Sequence, residues 1–136
     1  MSRQIYVNLP IQNMERTKAF FSALGFGFNP QFSNDSGACM VVADGIYVML
    51  LTESFFQTFT KKPVADATKS TEVLVCLSCQ SRAEVDELVA KARAAGGTVP
   101  NAPQDHGFMY GHGFEDLDGH VWELIHMDAS AAPPQA

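Results

Sequence analysis

No stretch of this chain is apolar for long enough to cross a bilayer, and no part of it is strongly basic. Lys and Arg number 9 against 15 Asp and Glu, a formal net charge of -6. That deficit excludes a phosphate backbone as partner, because such binding rests on clustered cations. It argues equally against an anionic membrane surface. Cysteine is scarce: three residues, an odd number, fit a reducing cytoplasm better than a disulfide framework. The first residues, MSRQIYVNL, lack the apolar core of a secretory signal. Glycines do not fall at phosphate-loop spacing, and no Ser–His–Asp arrangement stands out. The expectation is a cytoplasmic protein whose partner is a small molecule, with neither nucleic acid nor membrane involved.

What is present is 136 residues, 46% hydrophobic and 18% charged, the composition of an ordinary globular protein. A chain of this length buries roughly two-thirds of its unfolded surface, so it needs no disulfide or structural metal to fold. Gln4 to Leu9 reads as a strand that stops at Pro10. Asn13 can cap a helix from about Met14 to Leu24, with Gly25 ending it. Strand-like pieces follow at 26–32, 38–43 and 46–52, the last two joined by the hairpin signal Asp44-Gly45. A connection from Glu53 to Thr71, carrying Phe55, Phe56 and Phe59, separates this from a second set.

That set repeats the first. Glu72 to Ser78 is a strand, and Ser81 with Glu84 forms a capping box. Val85, Leu88, Val89 and Ala92 recur at helical spacing, and Gly96-Gly97 stops the helix. Thr98-Val99 begins a short strand, and a closing hairpin completes the set. The order is strand, helix, three strands, twice. The fold class is α+β, with two tandem βαβββ modules at about 1–60 and 71–127 in one domain spanning 1–127, and a frayed tail at 128–136. A half of this size is marginal alone, so the halves are expected to share a core.

The most informative segment is 108–127, FMYGHGFEDLDGHVWELIHM. Residues 115–119, EDLDG, carry turn chemistry between two strands. If the loop has an even number of residues, His112 faces Glu123, with Cβ atoms about 4.5–5.5 Å apart. An imidazole facing a carboxylate on a sheet is a proton-transfer pair, part of a metal site, or a plain polar contact. By the same register Tyr110 lies opposite Ile125. Glu123 sits in an otherwise apolar strand, where a carboxylate is costly unless paired or wet. Gly111 and Gly113 suggest close approach of a ligand or backbone, or a bulge. His120 reads as a solvated turn residue and His126 as structural. Cys76 and Cys79 read as small core residues despite their C-x-x-C spacing.

The segments NLPIQNMERTKAFFSALGF (8–26) and FEDLDGHVWELI (114–125) resemble the vicinal oxygen chelate superfamily: glyoxalase I, bleomycin-resistance proteins and extradiol dioxygenases. More narrowly, the chain looks like bacterial proteins labelled predicted lactoylglutathione lyases. The resemblance covers Ile5 to Met127 and implies paired βαβββ modules whose sheets curl into a cup, with homodimerisation. It also implies a divalent metal held at four positions, in the first and last strands of each module. Only Glu123 matches well. The other positions fall near Tyr6 or Val7 with Asn8 beside them, on Met49 or Leu50, and on Leu74. Glu72, on the same face as Leu74, is the one substitute carboxylate. Three of four ligand positions are unmatched, so no cofactor is assigned. The expected catalytic residues are Glu123, His112 and Tyr110. Tyr6, Asn8, Leu50, Leu74 and Trp122 are expected to contact the ligand. The functional expectation is a glyoxalase-like lyase or isomerase; the alternative is a non-catalytic binding protein of the bleomycin-resistance kind.

Overall fold

The structure is a computed structural model that describes residues 3–128; the expected frayed tail lies, from 129 onward, outside the described residues. The chain divides into two compact units, Met1–Asp66 and Ala67–Ala136. Each is built as strand, helix and three strands, closing a four-stranded mixed sheet.

In the first unit, β1 (Ile5–Ile11) is followed by α1 (Met14–Ala23), β2 (Gly27–Asn29), β3 (Gly37–Ala43) and β4 (Ile46–Thr52). The sheet order is β1-β4-β3-β2, with β1 and β4 parallel and the other pairs antiparallel. The Asn13 side chain accepts from the Arg16 amide and caps α1. Gly25 takes φ +101°, the left-handed stop expected of it. Period-two alternation puts Leu9, Ile11, Val48 and Leu50 on one face, all at most 2% exposed. The first strand runs on through Pro10 instead of stopping there. β1 is an edge of this sheet, and an edge strand tolerates a residue that cannot donate. The aromatic connection begins with a four-residue helix, α2 (Glu53–Phe56), and one turn of 3₁₀ helix.

In the second unit, β5 (Leu74–Ser78) leads to α3 (Arg82–Ala94), then β6 (Gln104–Asp105), β7 (Met109–Glu115) and β8 (Val121–Met127). The order β5-β8-β7-β6 repeats the first topology. Ser81 accepts from the Glu84 amide, and the Glu84 carboxylate accepts from the Gln80 amide, a capping box displaced by one donor. Val85, Val89 and Ala92 of α3 are buried, as are Phe114, Trp122 and Leu124 of the sheet. Thr98 makes only an isolated bridge to Glu115, and the short strand forms later, at β6.

The β7–β8 hairpin is organised by a buried carboxylate. Asp116 is 6% exposed. Its Oδ1 accepts from the amides of Asp118 and His120, and its Oδ2 accepts from Trp122 Nε1 at 3.0 Å. Burial raises its pKa above the usual carboxylate value, while His120 and the three donors pull the other way. His120 is not a solvated turn residue: it is 2% exposed, and its Nδ1–H donates to Glu72 Oε1 at 2.8 Å. Gly119, at φ +87°, packs so tightly that a Cβ there would lie 2.7 Å from the Ala67 carbonyl oxygen. Replacing Asp116 by Ala leaves the Trp122 indole and two amides without their acceptor. We expect a loss of about 2–4 kcal/mol of stability and a smaller loss, about 1–2 kcal/mol, for Asp116→Asn, which keeps one acceptor oxygen. Urea unfolding followed by the fluorescence of Trp122, the only tryptophan, measures both.

Candidate functional site

The loop that Asp116 organises runs from Asp116 to His120, five residues, an odd number. Glu115 therefore faces Val121, Gly113 faces Glu123, and His112 faces Leu124. This register differs by one residue from the even-loop expectation, and one residue moves a side chain to the other face. The structure does not bring His112 to Glu123. His112 instead donates from Nε2 to the Asn101 carbonyl at 2.8 Å. Tyr110 lies opposite His126, not Ile125, and its hydroxyl donates to Asp86 Oδ1 of α3 at 2.5 Å. That bond to a carboxylate raises the phenol's pKa. Tyr110 thus points to the α3 side of the sheet, away from the face that carries Glu123.

Opposite α3 the sheet presents an open face. Glu123 is exposed there, beside Val121 and Ile125 on its own strand. Cys76 pairs with Glu123 and Leu74 with Val121 across β5–β8. Gly111 and Gly113 of β7 stand opposite Ile125 and Glu123. Without side chains on these two glycines, a hollow of about 270 Å³ opens on this face. Its floor and sides include Gly111, Gly113, Leu74, Ile125, Pro100 and Ala102, and among the described residues Glu123 carries the only carboxylate lining it. A Cβ on Gly113 would meet the Trp122 carbonyl oxygen at 2.8 Å; on Gly111 it would make ordinary contact with Ile125 at 3.5 Å.

The remaining expected residues divide by parity. Trp122 is 1% exposed and bonded to Asp116, so it belongs to the core. Leu50 is fully buried in the first unit and is a core residue as well. Its neighbour Met49 pairs with Asn8 and Cys39, on the face shared with Tyr6 and Tyr47. This selects Met49 over Leu50 for the last-strand position of the first unit, four residues after Gly45 as Glu123 is four after Gly119. Tyr6 and Asn8 are exposed, and the Tyr6 ring stacks on Tyr47 with centroids 4.9 Å apart. Leu74 is 56% exposed on the open face of the second unit.

The four strand positions that the resemblance assigns to a metal therefore carry Tyr6, Met49, Leu74 and Glu123. A thioether and an alkyl chain are not ligands for a hard or borderline divalent ion. Glu72, the substitute, is engaged by His120. Among the described residues no three His, Cys, Asp or Glu side chains gather as a metal site. The donor set does not fit the ion. Cys76 is exposed, contrary to the core reading, whereas Cys79 is buried. Burial and then Glu123 raise the Cys76 pKa, and burial drives Cys79 up to about 12, so neither thiol is an activated nucleophile.

On the α3 side of the sheet lies a pairing that sequence reasoning missed. Arg82, at the start of α3, grips both carboxylate oxygens of Asp105 at 2.7 and 3.0 Å and donates to the Gly107 carbonyl at 3.1 Å. The same guanidinium lies 5.1 Å from the Tyr110 ring centroid. The residues involved are more than twenty positions apart, and no local pattern announces the pairing. The odd loop did leave a trace: Asp116 followed two residues later by Asp118 is an Asx-turn spacing, which starts the loop one residue later than the 115–119 reading.

A family model described as Glyoxalase/Bleomycin resistance protein/Dioxygenase superfamily matches residues 3–124. A hypothetical protein from S. aureus is 31% identical, with 93% of this chain and 95% of that one covered and a TM-score of 0.77. A glyoxalase/bleomycin resistance protein/dioxygenase family enzyme from Burkholderia phytofirmans gives a TM-score of 0.76 at 18% identity, covering 93% and 99% of the two chains. The genomically encoded fosfomycin resistance protein FosX from Listeria monocytogenes gives 0.67 at 19% identity, covering 96% and 98%. At these identities the last two speak to the fold alone. No curated protein matches the chain.

The Arg82 clasp is open to direct titration. Its hydrogen bonds, and then the Gly107 amide, lower the Asp105 pKa from 3.8 to about 2. A lowered carboxylate pKa means the clasp is complete above the ordinary value and is lost as pH falls from 3.8 towards about 2. Carboxyl-carbon NMR is expected to show an Asp105 midpoint near 2, returning towards 3.8 in Arg82→Ala.

Proposed function

The chain belongs to the Glyoxalase/Bleomycin resistance protein/Dioxygenase superfamily, and from that premise we propose that it binds a small molecule on the open face of its second unit without transforming it. The ligand has an apolar body and one cationic group, and Glu123 is the residue that meets the cation. The supporting observation is the placement of Glu123, among the described residues the only carboxylate lining a largely apolar hollow. A single exposed carboxylate beside apolar surface suits an ammonium or guanidinium partner whose apolar body covers the pair from solvent. The net charge of -6 adds long-range attraction for such a ligand. Leu74 supplies apolar wall. The family resemblance implies that the protein works as a homodimer, and its three cysteines fit a reducing cytoplasm.

The lyase or isomerase reading, of the lactoylglutathione-lyase kind, retains Glu123 as a base. It loses its second group, since His112 is committed to Asn101 and Tyr110 to Asp86. Proton transfer beside a carbonyl needs a base and a group that stabilises the developing oxyanion. Neither residue is placed for the second task, which favours binding over turnover.

Calorimetric titration with phenethylamine and with its neutral counterpart phenethyl alcohol tests the proposal. Wild type is expected to hold the amine at least about tenfold more tightly, a difference of about 1.4 kcal/mol. Glu123→Gln is expected to remove that preference and leave alcohol binding unchanged. Equal amine affinity in the two proteins would overturn the assignment of Glu123.

A further inference from the structure

Glu123 sets the charge of the hollow, but the stretch from Pro100 to Gln104 closes one of its sides. This stretch has little to hold it in place. Thr98 and Glu115 exchange two backbone hydrogen bonds before it, at 2.8 and 3.0 Å, and the two-residue strand β6 begins at its last residue, Gln104. Every residue from Pro100 to Gly107 is exposed. An exposed stretch with so few ladder bonds is normally drawn from the least stable part of a fold.

Two side chains from elsewhere fix it. His112 of β7 donates from Nε2 to the Asn101 carbonyl at 2.8 Å. Arg82 of α3 grips Asp105 and the Gly107 carbonyl at the other end. Both the Nε2–H tautomer and the imidazolium can make the first bond, so that pin needs no charge. The floor beneath the wall is Gly111 and Gly113, which project no side chain into the hollow. With a floor of bare backbone, the space for a ligand is decided by how far the wall stands from it.

We infer that residues 100–104 form a ligand-selecting wall and that His112 is the positioning residue that holds the wall over the glycine floor. This rests on the binding reading above for its selecting role, though not for the pin itself. His112 itself lines the hollow, but its positioning role is exerted through the backbone of Asn101. Releasing it lets the wall swing outward and admits a bulkier apolar body.

Two measurements decide the matter. In ligand-free protein, His112→Ala is expected to speed amide exchange in β6 and at His106, whose amide donates to the Met109 carbonyl at 2.8 Å, by about tenfold, with α3 and β8 unchanged. His112→Gln, which keeps a terminal N–H donor, should restore slow exchange. Wild type is then expected to prefer phenethylamine to 2-(1-naphthyl)ethylamine by about tenfold, His112→Ala to lose most of that preference, and His112→Gln to keep it. Unchanged exchange in His112→Ala overturns the pin. Raised exchange with an unaltered preference overturns the selecting role. If wild type takes neither amine, the binding reading fails and the selecting role with it, while the exchange result still decides the pin. Should the alanine variant loosen the whole unit, seen as faster exchange in β8, Arg82→Ala frees the other end of the wall and is judged by the same two readouts.

Discussion

The Asp116 carboxylate is the constraint from which the second unit takes its shape. It gathers two loop amides and the Trp122 indole around one buried group, and in doing so it counts the loop. Five residues, not four, separate the strands. A loop one residue shorter would leave donors without a partner in the core, at a cost of roughly 1–3 kcal/mol each. The register follows from that count, and from the register follows which side chains share a face.

The consequences reach the site directly. Because Gly113 faces Glu123, the carboxylate stands over bare backbone, with room beside it. His112 and Tyr110, displaced to the other parity, become structural ties to Asn101 and Asp86. A polar pair suited to acid–base work is replaced by a lone carboxylate suited to holding a cation. The same loop buries His120 against Glu72, so the carboxylate that the sequence offered as a substitute ligand fastens the stretch before β5 to the hairpin.

The first unit repeats the topology without this device. Its Asp44-Gly45 turn closes a shorter connection, and the strand pairing slips between Val41 and Ala43. Its open face carries Tyr6, Asn8 and Met49 where the second carries Leu74 and Glu123. Repetition of backbone has not meant repetition of chemistry, since strand alternation reserves one face for the core and leaves the other free to vary.

Much of the architecture was legible in the residues. The Asn13 and Ser81 caps, the Gly25 stop, the Asp44-Gly45 turn and the duplicated strand–helix–strand order are local signals, each written within a few positions, and they determined the two βαβββ modules. The resemblance added the strand position of Glu123. Local signals could not decide matters that depend on a count or on a distant partner. Strand β1 runs through Pro10 because it lies at a sheet edge, and Leu50 and Trp122 are core because of the face on which they fall. The Arg82 clasp joins residues far apart in sequence. Above all, a single residue in the length of the closing loop determines whether His112 meets Glu123. Side-chain direction in a strand inverts with every step, so residue types alone set the strands and the charge of Glu123, while only the tertiary hydrogen bonds of Asp116 decided what that charge would face.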